Sequence, residues 1–134
     1  MNSPLARESI LAPADSAWRP LCLRDDLVAD SGVVALADGV QIALFYLPKA
    51  PDGERLHTVE NRDPCSGANV IGRGIVGHLR GAPVIASPLY KQHFRLTDGA
   101  CLEEADKRLR VWPARLNGNV VEIGSPDESD YLYA

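Results

Sequence analysis

The sequence predicts an all-β fold, an antiparallel sandwich or small barrel, on three observations. Four dipeptides suited to tight turns punctuate the chain: Asp38-Gly39, Asp52-Gly53, Asp98-Gly99 and Asn117-Gly118. Asp, Asn and Gly tolerate the positive φ that such turns demand. Short apolar or alternating runs flank each turn, and no long stretch repeats its apolar residues at helical spacing. Ten prolines and eleven glycines in 134 residues suit a chain that turns often and interrupts its helices.

The elements follow in chain order. Trp18 to Leu23 opens the folded part. VVALA (33–37) and VQIALFYL (40–47) flank the first turn, and the period of two puts Val40, Ile42, Leu44 and Tyr46 on one face. RLHTVEN (55–61) follows the second turn; PVIAS (83–87) and YKQHFRL (90–96) lead into the third. LRVWPARL (109–116) and NVVEI (119–123) flank the fourth. Two short helices are expected, in SPLARESILA (3–12) and LEEADKRL (102–109). The domain organisation expected is an N-terminal tail at 1–16, one folded unit at 17–124 and an acidic tail at 125–134. Tyr131, Leu132 and Tyr133 in that tail are candidates for contact with a partner.

Composition narrows the function classes. A single domain of this length buries enough surface to fold without a disulfide or a metal. Net charge is −4 and no basic patch stands out, which argues against nucleic-acid binding. No apolar run approaches the length of a membrane span, and the first residues lack the pattern of a secretion signal, so a soluble cytoplasmic protein is expected. Cys22, Cys65 and Cys101 are odd in number and widely spaced, which predicts unpaired, at least half-buried thiols.

Several motifs dissolve on inspection. GRGIVG (72–77) matches G-x-G-x-x-G, but Gly81 and Pro83 interrupt the helix that a dinucleotide site would need. Loop glycines with unusual φ are the expectation there. No G-x-S-x-G elbow occurs, and His57, His78 and His93 are scattered, so no catalytic residue is assigned. The paired acids Asp25-Asp26 and Glu103-Glu104 read as solvated surface.

Two segments remain, DPCSGANV (63–70) and SPLYKQHF (87–94). They resemble the two loops with which Rieske domains grip a 2Fe–2S cluster, one carrying C-x-H and the other C-x-x-H. Gly67-Ala68-Asn69-Val70 fits the first loop, Pro88 and Phe94 fit the second, and Thr97-Asp98-Gly99 fits the turn beyond. The resemblance puts Asp63 and Cys65 at the ligand positions of the first loop, and Ser87 and Tyr90 at those of the second. A serine hydroxyl, a phenol and a carboxylate are poor substitutes for soft thiolates and imidazoles, so a metal-free domain is expected.

The stretches Trp18 to Cys22, NRDPCS, VIGRGIVG, ASPLYKQHFRL and DGACLEE resemble one family more closely: the small subunit of cytoplasmic NAD(P)H-dependent assimilatory nitrite reductase. The resemblance covers residues 18–123, and Cys65 departs from the aromatic usual at its position. It implies a Rieske-like fold with two ligand-type loops at one tip. It also implies an accessory, non-catalytic role in reducing nitrite to ammonia during nitrate assimilation. The large subunit would be the partner and would carry the flavin, the iron–sulfur cluster and the sirohaem, with no cofactor on this chain. The expected partner surface is the tip around Ile71–Val76 with Leu89 and Tyr90, flanked by Arg73 and Lys91. A Rieske-type ferredoxin, which would need all four ligands, and a stand-alone interaction module are the alternatives.

Overall fold

The computed structural model describes residues 18–50, 53 and 55–125. The short helix expected at 3–12 and the aromatic residues Tyr131, Leu132 and Tyr133 lie outside the described residues. Within them the protein is built from β-strands with two single-turn 3-10 helices, at Arg24–Asp26 and Ile71–Arg73. No helix forms over 102–109; that segment is bends and a turn with an isolated bridge at Arg108. Its charged residues are distributed around a loop whose backbone bonds to a neighbouring strand and turn instead, Leu102 N donating to His93 O and Leu109 N to Gly99 O.

Among the described residues ten strands make three antiparallel sheets. In the first, β1 (Arg19–Leu23), β10 (Val120–Ile123) and β9 (Ala114–Asn117) lie in the order β1-β10-β9. The second runs β2-β3-β4-β8, from β2 (Gly32–Ala37), β3 (Val40–Tyr46), β4 (Leu56–Glu60) and β8 (Val111–Trp112). The third runs β5-β6-β7, from β5 (Ile75–Leu79), β6 (Ala82–Ala86) and β7 (His93–Arg95).

β3 shows why the four-stranded sheet sits in the middle. Ile42 and Leu44 pack with Trp112, Val121 and Ile123 on one face. Ala43 and Phe45, pointing the other way, pack with Val59, Ile71, Ile85, Phe94 and Leu109. The alternation expected of β3 is present, but both of its faces are buried, because a sheet lies over each. Phe45 and Phe94 are fully buried, and each such ring contributes about 1.5–3 kcal/mol of transfer free energy.

The turns follow local chemistry with two departures. Asp38 and Gly39 both take positive φ (50° and 79°) and join β2 to β3 as a two-residue hairpin. At the last hairpin Val120 pairs with Asn117, so the two loop residues are Gly118 and Asn119, one position beyond the Asn-Gly dipeptide. The β5–β6 hairpin was not expected. Its turn is Arg80-Gly81, with φ of 54° and 78°, and arginine there carries none of the turn preference of Asn or Asp.

GRGIVG is also corrected. None of Gly72, Gly74 and Gly77 has a positive φ, and the segment runs from a 3-10 turn into β5. Two of these glycines serve close packing: a Cβ on Gly72 would lie 2.7 Å from Val34 Cγ2, and one on Gly74 would lie 2.3 Å from the backbone oxygen of Ala86.

Candidate functional site

The first loop leaves β4 at Asn61 and is tied down at once. The Asn61 side chain donates to Gln41 Oε1 (2.9 Å) and accepts from Gly72 N (2.7 Å), joining loop, middle sheet and 3-10 turn. Asp63 N donates to Ala68 O, and Gly67, at φ 80°, returns its N–H to Asp63 O. Sequence reasoning does not find this anchor, because an Asn just after a strand carries no signal for a bond to a partner 20 residues upstream.

The second loop leaves β6 at Ser87 and rejoins the sheet at His93. The strand expected over 90–96 is therefore confined to His93–Arg95. Residues 87–92 close on themselves instead, Lys91 N donating to Ser87 O (3.0 Å) and Ser87 N to Gln92 O (2.9 Å). Lys91 sits at φ 62°, a left-handed conformation that costs a non-glycine residue roughly 1–2 kcal/mol.

The four ligand-type positions diverge in environment. Asp63 and Ser87 are buried and meet: Ser87 Oγ donates to Asp63 Oδ2 at 2.5 Å, while Cys65 N donates to Asp63 Oδ1 at 2.8 Å. The two loops thus lie together at one tip. Cys65 is half-buried and donates through Sγ to Glu104 Oε2 at 3.4 Å. Burial, then the hydrogen bond and charge of Glu104, push its thiol up to about 12. Tyr90 is 62% exposed.

A third segment completes the site, and sequence reasoning missed it. Glu104 Oε2 also accepts from Gln92 Nε2 (3.2 Å), so this one carboxylate bridges the first and second loops. Glu103 accepts from His93 N at 2.8 Å, and its other oxygen lies 2.7 Å from His93 Nδ1. Burial opposes ionisation of Glu103, but the His93 amide and ring together outweigh it and hold the carboxyl below its usual range. The pair Glu103-Glu104 is therefore a brace for the tip and not merely solvated surface. Nothing in the run of residues indicates this, because the contacts come from strands and loops ten or more positions away.

This donor set does not fit a 2Fe–2S cluster. Asp63 and Ser87 are engaged with each other, Cys65 is held as a neutral thiol, and Tyr90 is turned outward. Among the described residues no group of three or more His, Cys, Asp or Glu side chains is placed to hold a metal ion. The three cysteines are unpaired, with Cys101 buried and the other two half-buried, as the sequence suggests.

The expected contact residues separate into two sets. Leu89 (49% exposed), Tyr90, Arg73 and Lys91 are at the surface, and Ile75 beside them is 76% exposed. Ile71 is fully buried and so belongs to the core, and Val76 is half-buried against it. At the start of β5, Ile75 is exposed where Val76 packs against the core.

Comparison with known proteins agrees with this architecture. The Rieske-like [2Fe-2S] domain family matches residues 17–124. The nitrite reductase (NADH) small subunit of Salmonella typhimurium is 35% identical over 108 residues, covering 81% of this chain and 97% of that protein. The solution structure of the nitrite reductase [NAD(P)H] small subunit from Erwinia carotovora superposes with a TM-score of 0.68 at 36% identity, over 84% of this chain and 85% of that one. A nitrite reductase [NAD(P)H] large subunit from Klebsiella oxytoca is 32% identical over 92% of this chain, which spans only 12% of that much longer protein. With the Rieske-like fold in place and nearly the full length of a small subunit matched, the chain belongs to the nitrite reductase small-subunit family.

Proposed function

We propose that this chain is the accessory subunit of a cytoplasmic NAD(P)H-dependent nitrite reductase that forms ammonia, and that it docks on the large subunit through the loop tip. In this reading it carries neither a cluster nor a catalytic residue, and the flavin, iron–sulfur cluster and sirohaem belong to the large subunit. The observation that carries it is the tip itself: a Rieske-like frame whose ligand positions Asp63 and Ser87 are hydrogen-bonded to each other, with apolar side chains facing outward beside them. An electron carrier needs a redox centre, and these donors do not supply ligands for one. The match inside a Klebsiella large subunit supports the partnership, since a domain of this type occurs there within one polypeptide.

Ile75, Leu89 and Tyr90 offer apolar and aromatic anchors, with Arg73 and Lys91 as charged neighbours that would affect orientation and on-rate. Truncation of a central anchor typically costs about 2 kcal/mol or more in binding. The test is a pull-down of co-expressed large subunit by wild-type and Leu89→Asp protein, with circular dichroism as the folding control. Leu89→Asp is expected to stay folded and to retain at least tenfold less large subunit. Full retention by a folded variant would exclude this tip as the docking surface. The same purified chain, reconstituted anaerobically with iron and sulfide, is expected to take up no stoichiometric iron; two irons per chain would refute the cluster-free assignment.

A further inference from the structure

Asp63 is a fully buried carboxylate whose side chain is held by neutral donors, the Ser87 hydroxyl and the Cys65 amide. Among the described residues no ion pair to it forms. A buried carboxyl group without a cation partner is accommodated where hydrogen bonds replace its hydration, and its contact with Ser87 is a short O–H···O bond. The Ser87 hydroxyl lies at a junction. It donates to Asp63, and it lies 3.4 Å from the amide of Leu89, which donates to it weakly. The backbone of Ser87 closes the turn that carries Leu89, Tyr90 and the left-handed Lys91. Glu104, accepting from both Cys65 and Gln92, spans the same two loops a second time.

We infer that the Asp63–Ser87 hydrogen bond, seconded by Glu104, is a metal-free clasp that positions the exposed segment 88–91. Asp63 and Ser87 are thus positioning residues: both are buried, and both fix the turn that presents Leu89, Tyr90 and Lys91. The clasp offsets the strain of a left-handed lysine and the entropy of ordering two loops. Without it the turn is held mainly by its own two backbone bonds, and a short loop of that kind opens readily. The clasp stands on the geometry of the isolated chain; only its consequence for docking rests on the accessory-subunit reading.

The test is amide hydrogen exchange by NMR on the full isolated chain, comparing wild type with Ser87→Ala, Asp63→Ala and Asp63→Asn. The amides of Cys65, residue 87 and Lys91 report the tip, and those of Ala43 and Leu44 in β3 report global opening. Ser87→Ala and Asp63→Ala are expected to speed exchange at the tip at least tenfold while β3 changes less than twofold. Asp63→Asn keeps an acceptor for the Cys65 amide and can donate to the Ser87 hydroxyl, so it is expected to restore exchange to within threefold of wild type. Tip rates unchanged in Ser87→Ala would overturn the clasp. So would a uniform rise in β3, or failure of Ser87→Ala to fold, since either makes the pair a condition of the whole fold. Tip opening in Asp63→Asn equal to that in Asp63→Ala would overturn it too, because charge and not hydrogen bonding would then be the cause. These readings need no large subunit, so they stand apart from the outcome of the Leu89→Asp pull-down.

Discussion

Replacing Gly74 with alanine tests whether the glycine-rich stretch exists for packing. Gly74 has φ −72° and ψ 178°, a conformation open to any residue, so backbone strain plays no part. The added Cβ would lie 2.3 Å from the oxygen of Ala86 and 3.0 Å from Cδ1 and Cγ1 of Ile85. The first contact falls about 1 Å short of ordinary van der Waals distance, and a backbone oxygen cannot rotate away as a side chain can. β5 and β6 pair at Ile75 and Ala86, so relief requires the two strands to part at the base of the tip. Overpacking of this kind costs about 1–3 kcal/mol. For a domain of this size that lowers Tm by roughly 4–12 °C. The assay is thermal unfolding followed by circular dichroism, with Gly77→Ala as the comparator. Gly77 lies in the same strand, its φ is not positive, and its nearest neighbour would be Val84 Cγ2 at 4.0 Å. Alanine there is expected to be neutral or slightly stabilising, since glycine in a strand interior is disfavoured. A Gly74→Ala protein melting within about 1 °C of wild type would refute the close-approach argument, as would equal losses in both variants.

Cys65 is expected to react slowly with iodoacetamide at pH 8, because burial and then the Glu104 hydrogen bond and charge raise its thiol to about 12. Glu104→Gln should speed its alkylation at least severalfold by mass spectrometry, and an unchanged rate would show that Glu104 does not hold the proton. The acid limb of stability should depend on Glu103 and Asp98. Burial raises both carboxyl pKa values, yet the His93 contacts for Glu103 and Arg95 with the Ala100 amide for Asp98 bring them below 4.5 and 3.8. Because the folded pKa is the lower one, the stability they contribute is complete above those ordinary values and is lost as pH falls through the depressed ones. Urea unfolding at about pH 6 and pH 3 should therefore show a smaller acid-induced loss in the Glu103→Gln/Asp98→Asn double variant than in wild type. Equal losses would show that these two pairs do not contribute.

The sequence alone determined whatever depends on local chemistry. Asp38-Gly39 fixed one hairpin, because both residues accept positive φ and the flanking runs alternate. The resemblance to the two Rieske loops marked Asp63, Cys65, Ser87 and Tyr90 as ligand-type positions, and their poor fitness as cluster ligands was readable because donor chemistry belongs to the residue itself. Tertiary structure decided whatever depends on which atoms meet. Gly74 looks like any loop glycine until Ala86 O is placed beside it. Ile71 and Ile75 are chemically alike and four residues apart, yet one is core and the other surface, because a 3-10 turn ends between them. Asp63 and Ser87 stand 24 positions apart, and Glu104 lies 39 beyond Cys65. Loop closure over such separations follows from the pairing of whole sheets, so a clasp between those side chains has no local pattern that could announce it.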